Sequence, residues 1–132
     1  MRPTGSNVTR GINTEAKIKC VDNTGAKKLR VTSVMGYKGT RSRQPRAGVG
    51  DIVRCSVVKG TPEMREETPM AVIVRQRKEW KRSDGRRVKF EDNAAVLITD
   101  RNEPRGNEIK GAVAREVVER FPEIGKIARV VV

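Results

Sequence analysis

The sequence predicts a mainly β protein: a small closed five-stranded β-barrel with a protruding basic β-ribbon and a short C-terminal helical region. Three observations carry that prediction. Apolar residues alternate with polar ones at Ala16-Ile18-Cys20, at Leu29-Val31 and at Val53-Cys55-Val57, the period-two pattern of strands with one buried face. Two near-continuous apolar runs, Met70 to Val74 and Ala94 to Thr99, read as strands covered on both sides. From Ala112 the period changes, and Val113, Val117 and Phe121 fall on one helical face, widened by Val118. The 132 residues fit one domain, long enough to bury a real core.

Residues 1–13 are polar and without periodicity, which predicts an arm, disordered alone and able to order against a partner. Arg2 and Arg10 are its candidate phosphate contacts. In the first hairpin Lys17 and Lys19 alternate with the apolar positions, Asp22-Asn23-Thr24-Gly25 turns the chain, and Lys28, Arg30 and Thr32 alternate with Leu29 and Val31. One face therefore suits a barrel interior and the other is cationic and free to meet a partner. Gly36 to Gly50 is a glycine-rich loop with Lys38, Arg41, Arg43 and Arg46 and no acidic neighbour, a pattern that favours RNA. It lacks the Lys-Ser/Thr ending and the following helix of a nucleotide-binding phosphate loop. Tyr37 either stacks on a base or packs. Gly50-Asp51 turns into a strand at Ile52 to Val58. Lys59 to Thr68 is an excursion with Pro62, Glu63, Glu66 and Glu67, solvated or facing a basic protein.

Residues 75–90 form the expected ribbon. Asp84-Gly85 is a strong hairpin signal, because an Asp-Gly pair supplies the positive φ angles of a tight turn. A two-residue turn there places Arg82 opposite Arg87, Lys81 opposite Val88 and Trp80 opposite Lys89. Like charges directly across a strand pair are destabilising. Arg77, Lys78, Arg86 and Lys89 add to the crowd, offset in part by Glu79 and Asp84. A polyanion between them would turn the repulsion into affinity. Such a ribbon would reach roughly 30 Å from Arg75 to Asp84 at the usual strand rise.

Asp100 to Lys110 is polar and irregular, with a turn at Pro104-Arg105-Gly106. Residues 112–132 are the helical segment. Glu116 and Arg120 are expected to pair on its outer face, and Pro122 to end it. One more turn follows, with Ile124 and Ile127 facing in, and Val130 to Val132 is expected to dock. The helix reads either as a lid on one barrel end or as an interaction platform.

The net charge of +13 exceeds what solubility needs and points to a polyanionic partner. Up to Gly50 only Glu15 and Asp22 oppose eleven Lys and Arg residues. A membrane surface would favour a basic amphipathic helix, and none is present. No stretch is long and apolar enough to span a bilayer, and the N-terminus lacks a signal-peptide core, so an intracellular protein is expected. Cys20 and Cys55 read as small core residues, bridged only if their strands pair. The chain has no His, which removes the commonest general base and metal ligand, and two Cys without His do not complete a zinc site. No cofactor is indicated. Asp22, Asp51, Asp84 and Asp92 sit at turns, where Asp is expected anyway, and no nucleophile–base pair accompanies them, so an enzyme is not expected. A free-standing single-strand binder is the competing function. It needs aromatic platforms, and Tyr37, Trp80, Phe90 and Phe121 are spread along the chain, so backbone recognition of a folded RNA fits better.

Several of these stretches also carry a resemblance. Ala71-Val72-Ile73-Val74, a basic spacer, Asp84-Gly85, Phe90, Asn93 and Val96-Leu97 resemble the signature of ribosomal protein L-fourteen, a universal family of the large subunit. Asp22 to Ala26, Ala47 to Asp51 and Pro104 to Gly106 extend the likeness over the chain. Lys59 to Arg65 is similar to the archaeal and eukaryotic branch, and Asn107 departs from the family, which has Thr there. The resemblance implies a cytoplasmic, non-enzymatic constituent of the large ribosomal subunit that binds 23S-type rRNA. It also implies neighbouring large-subunit proteins, an intersubunit surface with bridges to small-subunit rRNA, docking of subunit anti-association factors, and no membrane partner. The rRNA side would be Lys28, Arg30, Lys38, Arg41, Arg43 and Arg46, with Arg77, Lys78, Lys81, Arg82, Arg86 and Arg87 of the ribbon. The intersubunit and factor-docking surface would be Arg105, Gly106, Asn107, Arg115 and Arg120.

Overall fold

The computed structural model describes residues 7–36 and 44–132. Arg2, Tyr37, Lys38, Arg41 and Arg43 lie outside the described residues. In chain order the first half contains β1 (Ile12–Asn13), β2 (Lys17–Cys20), β3 (Ala26–Val34), β4 (Arg46–Ala47), β5 (Ile52–Gly60) and a short helix α1 (Pro62–Arg65). The second half contains β6 (Met70–Arg75), β7 (Trp80–Lys81), β8 (Arg87–Val88), β9 (Ala94–Ile98), β10 (Ala112–Val113), α2 (Arg115–Arg120), α3 (Pro122–Ile127) and β11 (Val130–Val131).

Five strands pair in the order β2-β3-β5-β6-β9, and β9 returns to β2, so the strands form a ring. Every join is antiparallel except the last, where Lys19 and Cys20 pair in parallel with Ala94 and Ala95. Alternation does its expected work: Ile18, Leu29, Val31, Val53 and Cys55 are buried inside while Lys17, Lys19, Lys28, Arg30 and Arg54 face out. β6 and β9 are buried nearly throughout, as their unbroken apolar runs predict. The outer side of β6 is covered by β10 and α2, with Ala114 N–H donating to Val74 O (3.2 Å) and Val113 and Val117 fully buried. Cys20 and Cys55 are free thiols.

Several expectations are corrected. Residues 7–13 are packed on the body: Ile12 is buried, β1 pairs with β4, and Asn7 bridges to Lys81. The anchor is Gln76, wholly buried, whose side chain accepts from Val49 N–H (2.9 Å) and donates to Thr9 O (2.7 Å) and Lys78 O (2.8 Å). At the other terminus, Ala112 and Val113 are extended and pair in parallel with Val130 and Val131, so the helix starts only at Arg115. As expected, α2 ends before Pro122 and further helix follows it. Phe121 closes α2 and precedes α3, and Pro122 occupies the first turn of α3, where its missing N–H costs nothing. The tail is docked through its backbone, while Val130, Val131 and Val132 remain exposed.

Candidate nucleic-acid interface

The outer surface of β2, β3 and β5 carries cations in register. Lys19 lies opposite Lys28, and Lys28 opposite Lys59, so three lysines stand abreast on adjacent strands. Strand spacing sets them in a band roughly 10 Å wide. Lys17 lies opposite Arg30 one step along. The register shifts between the Leu29–Val57 and Lys28–Lys59 pairs, a bulge that leaves both Val58 and Lys59 facing solvent. Two carboxylates temper the row from its margins: Glu15 Oε2 is 3.6 Å from Arg30 Nη1, and Asp92 Oδ2 is 3.6 Å from Lys19 Nζ. The sequence pointed to Lys28 and Arg30 but did not single out Lys17, Lys19 and Lys59 as partners, because strand register is a tertiary fact. The period-two exposure of the lysines was the available signal.

The basic hairpin is built differently from expectation. Arg82 N–H donates to Arg86 O (2.8 Å) and Gly85 N–H to Arg82 O (3.0 Å), so the turn holds three residues, Ser83 to Gly85. Gly85 takes the left-handed position (φ 92°) that such a bulged turn requires. The register moves by one: Trp80 faces Val88 and Lys81 faces Arg87. A one-residue slip moves each side chain to the other face. Trp80 and Arg82 therefore turn inward together, and the hairpin lies against α2 instead of protruding.

Their common target is Glu116, which is 1% exposed. Its Oε2 accepts from Trp80 Nε1–H at 2.6 Å and from Arg82 Nε–H at 3.4 Å, and its Oε1 accepts from Arg82 Nη2 at 2.9 Å. Arg82 Nη2 also donates to Val132 O (2.6 Å), and its guanidinium carbon sits 5.8 Å from the Trp80 ring. Arg82 is thus an internal counter-ion and is withdrawn from the RNA-facing set. Glu116 does not pair with Arg120, as its place on the helix had suggested. The hairpin cations that remain exposed are Arg77, Lys78, Lys81, Arg86, Arg87 and Lys89. Lys81 opposite Arg87 keeps one like-charge pair across the strands. Asp84 is held below the usual carboxylate range, chiefly by the Arg86 backbone N–H and then by nearby arginines. The Glu79 carboxyl is lowered in the same sense by its own backbone N–H and by Lys78. Arg46 is exposed on β4, opposite Asn13.

The residues expected on one intersubunit surface are divided. Arg105, Gly106 and Asn107 lie beside the β2–β3 turn. Asn23 and Asn107 are joined through their side-chain amides, Asn107 N–H donates to Asn23 Oδ1 (3.0 Å), and Arg105 Nη1 pairs with Glu67 at 2.9 Å. A side chain at 106 would overlap Asn23, so glycine fits there for close approach. Arg120 instead reaches Gly50 O (3.3 Å) and Asp51 Oδ1 (3.4 Å), before the start of β5. β2 and β5 both run antiparallel to β3, so the end of β2 and the start of β5 are at opposite ends of the ring. Arg115 is exposed near the hairpin tip, close enough to Asp84 to help lower its carboxyl.

Comparison with known proteins places this geometry in a family. The family model described as ribosomal protein L14p/L23e matches residues 11–132. The chain is similar to the large ribosomal subunit protein uL14 of Halorubrum lacusprofundi, 58% identical over 127 residues that make up 96% of each chain. It is 55% identical to that of Methanothrix thermoacetophila and 52% identical to that of Haloarcula marismortui, in both cases over the whole of each chain. With nearly every described residue inside the matched region, the chain belongs to the ribosomal protein L14p/L23e family.

Proposed function

We propose that the protein is a non-enzymatic structural constituent of the large ribosomal subunit in the cytoplasm, binding large-subunit rRNA and lying among other large-subunit proteins. The observation that carries RNA binding is the row Lys19–Lys28–Lys59. Three like charges placed side by side weaken the sheet that holds them, and a phosphate backbone laid across them reverses the sign of that effect. Arg30 extends the row, and the exposed hairpin cations Arg77, Lys78, Lys81, Arg86 and Arg87 form a second contact. Lys38, Arg41, Arg43 and Arg46 belong to the same proposal through their local charge. Binding of large-subunit rRNA is expected to weaken steeply with salt. Replacing Lys19, Lys28 and Lys59 by Gln should flatten the log–log salt slope by about 2. An unchanged slope would remove the row from the interface.

The finer reading is a surface turned toward the small subunit, contributing to bridges with its rRNA and available to factors that prevent subunit joining. Arg105 to Asn107 and Arg115 support it as two separate contacts, because each is exposed or pinned rigidly at the molecular surface. Arg120 contributes through Asp51, holding that end of the ring. In sucrose gradients, Arg105→Glu with Arg115→Glu should lower the fraction of joined ribosomes while the variant still enters large subunits. Normal joining would exclude these residues from the bridge.

A further inference from the structure

An open pocket of about 410 Å³ lies where the ring meets the base of the hairpin, lined by Lys19, Arg77, Phe90, Glu91 and Asp92 with Arg75 at its floor. Its chemistry is unlike that of the lysine row. A site for phosphate alone would be lined by donors, whereas here two carboxylates sit beside the cations. Phe90 is half-buried, with its ring centroid 5.9 Å from that of Trp80, and it contributes an aromatic surface to the lining. Arg77 is held across the pocket by its own Nε–H, which donates to Glu91 O (2.9 Å), and by its backbone N–H on Asn93 Oδ1 (2.8 Å). Asp92 is fixed by Arg75, with contacts of 3.1 and 3.3 Å. The walls are therefore pre-set before any ligand arrives.

We propose that this pocket takes a single unstacked nucleotide of the bound RNA. The inference rests on the rRNA-binding reading and deepens it. The base lies on Phe90 and offers its amino and ring N–H groups to the Glu91 and Asp92 carboxylates. The flanking phosphates meet Lys19 and Arg77. Lys19 also heads the lysine row, so one strand can cross the row and deliver a nucleotide into the pocket without a break in its contacts. Single-stranded RNA is commonly recognised in this way, by an aromatic platform with hydrogen bonds to exposed base edges.

Two variants and one crosslinking experiment, all on complexes with large-subunit rRNA, separate the possibilities. Phe90→Leu retains apolar packing and removes stacking. It should weaken binding about tenfold at every salt concentration and leave the salt slope unchanged. Arg77→Gln, at an exposed position, should weaken binding and reduce the slope by about 0.7. Ultraviolet irradiation of the wild-type complex should yield an RNA adduct on the peptide containing Phe90. Wild-type affinity for Phe90→Leu with no adduct at that peptide would overturn the pocket assignment while leaving the lysine row intact. A crosslink from that peptide to protein in place of RNA would overturn it as well. Loss of all salt-dependent RNA binding by the wild type would overturn both this inference and the reading beneath it.

Discussion

Burial pushes the Cys55 thiol from its ordinary 9.0 up to about 12, and raises the Cys20 thiol still further, with the Asp22 carboxylate adding to the effect of burial there. A folded-state pKa above the unfolded one means that the folded chain keeps its proton longer. The stabilisation is fully present below the unfolded value and is lost as pH rises from about 9 toward 12. Alkaline unfolding followed by circular dichroism should therefore be shallower across that window for Cys55→Ala than for the wild type. An identical alkaline profile would refute the linkage. Single residues also mark where sequence reading stops. Cys55 was legible as core from its alternation with Val53 and Val57. Arg75 was read as the base of a cationic ribbon, yet it is buried, paired with Asp92 and donating to Lys110 O and Ala112 O. Those carbonyls bracket Gly111 (φ 82°), where a Cβ would collide with the Arg75 guanidinium. Neither partner is near Arg75 in the chain, so nothing local announces the burial.

At the scale of elements, the strands were legible and the hairpin's attitude was not. Apolar alternation specifies which face of β2, β3 and β5 turns inward. In the hairpin, the same Asp-Gly signal is compatible with two- and three-residue turns, and the choice between them decides whether Trp80 and Arg82 face out or in. Glu116 settles the attitude from outside the hairpin, in α2. Removing it leaves Arg82 buried without its carboxylate, a change expected to cost about 3–5 kcal/mol. Glu116→Ala should show this loss in urea unfolding. Hydrogen exchange should quicken across Trp80 to Val88, with the amides of β3 and β5 protected as before. Uniform acceleration over the whole chain, or none in the hairpin, would contradict the view of Glu116 as a latch for this element. The candidate site divided in the same way: the exposed lysines of β2 and β3 could be read from alternation, whereas their alignment with one another and with Lys59 of β5 depended on register, and Arg82 was lost to the interior.

For the molecule as a whole, charge and stability oppose one another in the absence of a partner. The Lys19, Lys28 and Lys59 row should make the free protein slightly less stable than its neutralised variant. Replacing all three by Gln is expected to raise unfolding free energy by roughly 1 kcal/mol or less at low salt, and the difference should shrink as salt is added. A destabilised triple variant would mean that the lysines serve packing and not binding. The overall plan, a mainly β body with a short helical cover, followed from the two periods in the sequence. A closed arrangement of five strands was expected as well, and five strands do form a ring. The parallel pairing of β2 with β9 that closes it was not legible, because those strands lie far apart in the chain.

That closure has a consequence for when the protein can fold. The Leu97 N–H bond to Asp22 joins residues 75 apart, and the parallel β2–β9 pair lies beside it. Loop-closure entropy must be overcome before such pairs stabilise anything, so topologies of this kind fold in milliseconds to seconds, slowly for their size. During synthesis, β2, β3 and β5 emerge early, with one edge of β2 unpaired, and they wait for β9. Through that interval the chain presents an open strand edge beside the lysine row, and arrival of β9 seals the edge.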